Sequence, residues 1–185
     1  MTTDPAPFAP LPALRSLGDL ADALPVIIID TREQTPLAPT RLPYVRAGLT
    51  TGDYSVQGLQ HQFAVERKSI ADLVACCKSG TKAAEGERER FERELARLSA
   101  YCVPGRFGAL LIIGTIGDIE AGAYRSEIAP KAVIASLWSW RMRYGVQTVF
   151  RGSPAAGALW LEDCAWWYAR AVTEQANELK RGVKQ

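Results

Sequence analysis

Four side chains in the first half of the chain could together cut a phosphodiester: Asp30, Asp53, Glu66 and Lys68. Carboxylates hold hard divalent ions such as Mg²⁺ or Mn²⁺. Such an ion lowers the pKa of a water and neutralises charge on a pentacovalent phosphate. A neighbouring lysine can position the nucleophile or stabilise the developing charge. Glu66 and Lys68 are two residues apart, so on a strand both leave the same face. Other chemistries lack their parts. His61 is the single histidine, so no HExxH zinc site is possible, and no GxSxG accompanies it for a Ser-His-Asp triad. The four cysteines, Cys76, Cys77, Cys102 and Cys164, follow neither a zinc spacing nor a redox CxxC. A metal site in this chain must therefore be built mainly from carboxylates.

The elements around these residues are predicted from pattern. Pro25 introduces the β-branched run Val26-Ile27-Ile28-Ile29, a strand buried on both faces that ends at Asp30. A polar loop covers 31–39. Residues 43–50 and 52–56 are further strands, Gln57-Gly58 starts a turn, and 63–68 is the paired fourth strand. Ser69 caps a helix through about Lys78, with Asp72 at the capping-box position. A loop to Gly86 precedes an amphipathic helix over 87–100, with Phe91, Leu95 and Leu98 on one face. Residues 109–113 form a buried strand, 130–144 a helix opened by Pro130 and stopped by Gly145, and 146–150 a last strand. A helix over 154–178 carries Trp160, Cys164, Trp167 and Ala171 on one stripe. This order predicts an α/β fold with a mixed central β-sheet flanked by helices. Residues 1–24 read as an arm with a short helix over 13–23, 25–152 as the main domain, and 153–185 as a helix packing on it.

An Asp followed at a distance by Glu-x-Lys is the signature of the PD-(D/E)xK nuclease superfamily. Here Asp30-Thr31-Arg32-Glu33, Gly52-Asp53-Tyr54 and Glu66-Arg67-Lys68-Ser69-Ile70-Ala71-Asp72 occur in order. Together they resemble the XPF family of structure-specific endonucleases, whose pattern is GD, a gap, then ERKxxxD. The resemblance covers about 26–114, with similar layout to about 150. It implies a restriction-endonuclease-like fold and a hydrolase that cuts branched, flap or fork DNA with Mg²⁺ or Mn²⁺. Residue by residue, it implies that Asp30, Asp53 and Glu66 bind metal and that Lys68 is the catalytic lysine. Arg32 and Arg67 would contact phosphate, and Glu33 would complete the acidic cluster. Asp72 belongs to the pattern, but capping with Ser69 explains it equally well. Full-length relatives add a tandem helix-hairpin-helix module, and many pair with a second subunit. No paired Gly-x-Gly hairpins occur in these 185 residues. A homodimer or a partner subunit would fit that. The alternative reading is a catalytically inactive or partner-activated DNA-binding subunit.

The net charge of +2 predicts no large basic surface, so any DNA contact must be local. Lys78 and Lys82, in a loop beside the predicted cleft, are candidates for the phosphate backbone. A regular fourth strand would send Arg67 to the face opposite Glu66. The alternating charges of Glu87 to Arg97 read as a solvated helix face. The five tryptophans read first as core, then as a dimer interface, then as base-stacking groups. His61 reads as a surface hairpin residue. With no secretory signal, no spanning apolar run and no disulfide spacing, the sequence reads as cytoplasmic, and its Ala and Arg content suggests bacterial or phage origin. Repair, recombination and phage DNA processing all fit.

Overall fold

The structure is a computed structural model and describes residues 24–182. The arm expected before residue 24, with its helix over 13–23, lies outside these residues.

The β-branched run forms β1 (Ile27–Asp30), buried along its whole length. Its neighbours are β2 (Tyr44–Ala47), parallel to it, and β3 (Tyr54–Val56), antiparallel. β4 (Phe63–Ser69) returns antiparallel to β3, and β5 (Phe107–Ile113) and β6 (Gln147–Arg151) follow in parallel. The result is one mixed six-stranded sheet of order β2-β1-β3-β4-β5-β6. Between the strands lie helices α1 (Ile70–Cys76), α2 (Lys82–Ser99), α3 (Ile116–Glu120) and α4 (Pro130–Tyr144), and α5 (Pro154–Gly182) follows β6. The architecture is the α/β layered one expected from the pattern.

Strand alternation divides the core into two layers. Ile27, Ile29, Tyr54, Phe63, Val65 and Leu111 face α5, where Ala158, Leu161, Ala165 and Trp166 cover them. Ala64, Leu110 and Ile112 face the other way, against Leu73 and Val74 of α1, Phe91 and Leu95 of α2, and Val133 and Trp140 of α4.

Local details differ from expectation for identifiable reasons. β2 is four residues, not eight, because the N–H of Leu49 leaves the ladder and donates to the Asp30 carboxylate at 2.6 Å. α2 starts at Lys82 rather than 87 because Thr81 caps it, its hydroxyl accepting from the Ala84 N–H at 3.2 Å. α3 was not expected; a Thr115–Asp118 capping box holds this single short helix. The buried stripe of α5 is offset from the predicted one. Trp166 is core, whereas Trp167 is 55% exposed. Glu162 hides that stripe in the sequence, since it is a fully buried acid in the middle of it. Its carboxylate accepts the backbone N–H groups of Thr40, Arg41 and Leu42 and pairs with the Arg41 guanidinium, tying the 40–42 loop to α5. The other tryptophans also divide: Trp140 is core and Trp138 is 62% exposed.

Candidate active site

The antiparallel ladders bring the acids together. Ile29 pairs with Tyr54, and Tyr54 with Val65. One pair further along each ladder, Asp30 stands opposite Asp53, and Asp53 opposite Glu66. Two backbone bonds hold this alignment: Asp30 N–H to the Asp53 carbonyl and Asp53 N–H to the Val65 carbonyl, both 2.8 Å. Three carboxylates therefore lie in a row across β1, β3 and β4 on one face, with Cβ atoms of neighbouring members about 5 Å apart. Lys68, two residues beyond Glu66, shares that face. Gly52 makes the row possible. It has φ of 76°, and a Cβ there would sit 2.9 Å from the Val65 carbonyl oxygen, so only glycine lets the chain enter β3 this close to β4.

Asp53 and Glu66 form the centre of the row. Burial pushes both carboxyls above their ordinary range, helped by the charge of Glu33 at Asp53 and by the charges of Asp53 and Glu94 at Glu66. Asp53 Oδ2 accepts the backbone N–H of Arg67 at 2.8 Å. The Lys68 ammonium lies 3.3 Å from Glu66 Oε1 and 3.1 Å from Glu94 Oε2 on α2, and 4.8 Å from the centre of the Phe91 ring. Burial works against its charge, but Glu66 and Glu94 outweigh it and hold its pKa above the ordinary lysine value. The sequence reading missed Glu94, placing it on a solvated face. The signal was its position three residues after Phe91, at the border of the apolar stripe of α2.

Asp30 stands in the row with both carboxylate oxygens hydrogen-bonded. Its Oδ1 accepts the Arg32 N–H at 2.7 Å and Nε at 2.8 Å, and its Oδ2 accepts Arg32 Nη2 at 3.0 Å and the Leu49 N–H at 2.6 Å. The Arg32 hydrogen bond dominates and holds its carboxyl down at about 2. Among the described residues no three His, Cys, Asp or Glu side chains converge closely enough to enclose a metal ion. Arg32 itself is largely exposed and feels the charges of Asp53 and Glu66 as well as Asp30.

Arg67 and Glu33 pair with each other on the other face of the sheet. β4 stays regular through Arg67, so its side chain leaves the opposite face and pairs with Glu33 at 3.1 Å and with the Thr35 hydroxyl. Glu33, though its charge still reaches Asp53, is thereby neutralised rather than added to the row. Asp72 caps α1: its N–H donates to the Ser69 hydroxyl at 3.1 Å, and its Oδ2 accepts the hydroxyl at 2.7 Å. Lys78 and Lys82 are exposed and make no ion pair with the row.

A half-buried carboxylate pair thus stands beside a lysine at the centre of the mixed sheet. The family model of the ERCC4 domain matches residues 29–164, most of the chain. The chain belongs to the ERCC4 domain family. No curated protein sequence matches it. Among solved structures, XPF from Aeropyrum pernix is 21% identical, with a TM-score of 0.53, over 76% of this chain and 60% of that one. XPF from Aeropyrum pernix in complex with DNA is 19% identical, with a TM-score of 0.54, over 78% of this chain and 64% of that one. This ERCC4 domain thus has the XPF-type, restriction-endonuclease-like fold, and the chain spans less than two thirds of either solved XPF chain. Among its described residues no helix is long and apolar enough to cross a membrane.

Proposed function

We propose that this ERCC4 domain hydrolyses phosphodiester bonds in DNA, with branched, flap or fork structures as its substrates and Mg²⁺ or Mn²⁺ as its cofactor. The observation that carries the reading is the pairing of Asp53 with Glu66 across adjacent strands, with Lys68 on the same face. Two desolvated carboxylates held against each other are stabilised by a cation between them, and their oxygens suit a hard ion. Mg²⁺ is commonly held by one or two carboxylates, with waters and phosphate oxygens completing its shell. Asp53 and Glu66 would hold the ion, which when bound supplies an acidified water and charge neutralisation at the phosphate.

The chain's own groups do the rest. The Arg67 N–H fixes one oxygen of Asp53, so the other is aimed at the site. Lys68, braced by Glu66 and Glu94, presents its ammonium where charge develops on the phosphate. Arg32, exposed beside the row, is placed to meet a phosphate oxygen, and Asp30 orients it. Arg67 and Glu33 act behind the site as a strut for Asp53. Lys78 and Lys82 would touch the backbone further out. The two solved structures described above are of XPF, one of them in complex with DNA, which supports DNA as the substrate class.

The test is cleavage of labelled flap, fork and linear duplex DNA in Mn²⁺ and in EDTA, with Asp53→Asn as control. Cutting that needs both the metal and Asp53, and favours branched DNA, is expected. Cutting that survives in Asp53→Asn would overturn the assignment. Tight binding without any cutting would favour an inactive or partner-activated subunit.

A further inference from the structure

On the same side of the sheet as Lys68, an open groove of about 1030 Å³ runs between the α1–α2 connection and the segment leading into α4. Lys78 and Arg88 line one wall and Arg125 the other, against a single acid, Glu127. Among the described residues neither Lys78 nor Arg125 takes part in an ion pair, whereas Arg88 shares Glu92 with Arg143. Ser79 and Ser126 add hydroxyl donors on opposite walls. Exposed cations facing each other across a gap, interleaved with hydroxyls, are the groups that grip a phosphate backbone.

The groove is rigidly linked to the row. α1 follows β4, the strand that carries Lys68, and α2 supplies both Arg88 to the groove and Phe91 and Glu94 to the lysine. Along α2, Arg88 lies three to six residues from those contacts, or about 5–9 Å at the rise of a helix. Successive phosphates of one strand advance about 3.4 Å along a duplex, so that distance spans roughly two or three nucleotides.

We propose that this groove holds the DNA strand beyond the scissile bond, with Lys78 and Arg125 bridging its backbone about two or three phosphates away. The proposal rests on the phosphodiesterase reading and adds a subsite to it. It explains how a domain of nearly balanced charge acquires local affinity for a polyanion.

The experiment uses the full chain and a Lys78→Ala/Arg125→Ala double variant. Both side chains are exposed, so the variant should melt as wild type does. Binding of labelled DNA is measured in EDTA across a salt series. DNA shortened stepwise on either side of the cut is then compared. The double variant should bind about ten-fold more weakly, with a salt slope shallower by roughly 1.8, that is 0.9 for each phosphate no longer neutralised. Removing the second and third nucleotides on one side should weaken wild type and leave the double variant unaffected. Unchanged affinity and slope would overturn the proposal. So would a loss that is the same for full-length and shortened DNA, since that describes a general charge effect. Wild type that binds DNA but never cuts it would overturn the hydrolase reading alone, and the binding series would still decide the groove.

Discussion

Replacing Glu66 by glutamine should make the metal-free domain more stable at alkaline pH while destroying its activity. Burial, and then the charge of Asp53, pushes the Glu66 carboxyl from the ordinary 4.5 up to about 8. That interval sets an upper bound of about 5 kcal/mol for the cost of ionising it in the folded chain. Asp53 shares the titration and Lys68 loses a partner in the variant, so a gain of ~1–2 kcal/mol is the working figure. In a chain of this length it corresponds to a rise in Tm of about 2–8 °C. The sign follows from a folded-state pKa raised above the unfolded one. Stability tied to neutral Glu66 is fully present below 4.5 and is lost as pH climbs towards 8. The gap between variant and wild type should therefore be absent near about pH 4, open through neutrality and level off near about pH 9. Thermal melts in EDTA across that range measure it, and a second series in Mn²⁺ should raise wild type but not the variant. The reasoning fails if Glu66→Gln melts below wild type at the alkaline end, or if its offset does not change with pH.

Three further outcomes test individual side chains. Lys68→Ala should lower kcat by roughly 10²–10³-fold with DNA affinity unchanged, as for loss of one donor aimed at developing charge; an equal loss in both, read from binding and single-turnover rates, would make it a binding residue. Glu94→Gln removes one of the two anions bracing that lysine, and a loss of ~1 kcal/mol of positioning would slow kcat about five-fold without weakening DNA binding; an unchanged kcat would make the ion pair structural. Gly52→Ala should destabilise by at least ~1–2 kcal/mol from its left-handed backbone alone, measured by urea unfolding, and should cost activity further because Asp53 follows directly; stability equal to wild type would mean that the close approach to Val65 is not needed.

The strands that carry the row could be read from sequence because their signals are local. The Ile27–Ile29 run, the Ser69–Asp72 cap and the spacing of Glu66 and Lys68 each depend on a few neighbouring residues. What escaped depends on partners far along the chain. Glu162 looks like a surface acid until the 40–42 backbone is placed against it, and Glu94 looks solvated until β4 lies beside α2. Asp30 shows the same limit from the other side. Its type and position put it in the row, but nothing near it in the sequence announces the bond it accepts from the Leu49 N–H, nineteen residues away. The direction of Arg67 was legible, since strand alternation sends it away from Glu66; its partner Glu33 was not.

The row of acids depends on two arms of equal length. Tyr54-Ser55-Val56 leads away from Asp53, and Phe63-Ala64-Val65 leads back to Glu66. One residue added to either arm would swing an acid to the far face of the sheet, because side chains alternate. The same residue added to the 57–62 turn lies outside the ladder and lengthens only a loop, at small entropic cost. The hairpin therefore acts as a ruler with a free end: its graduations cannot move, but its tip can carry a fluorophore or an affinity tag without disturbing the measure.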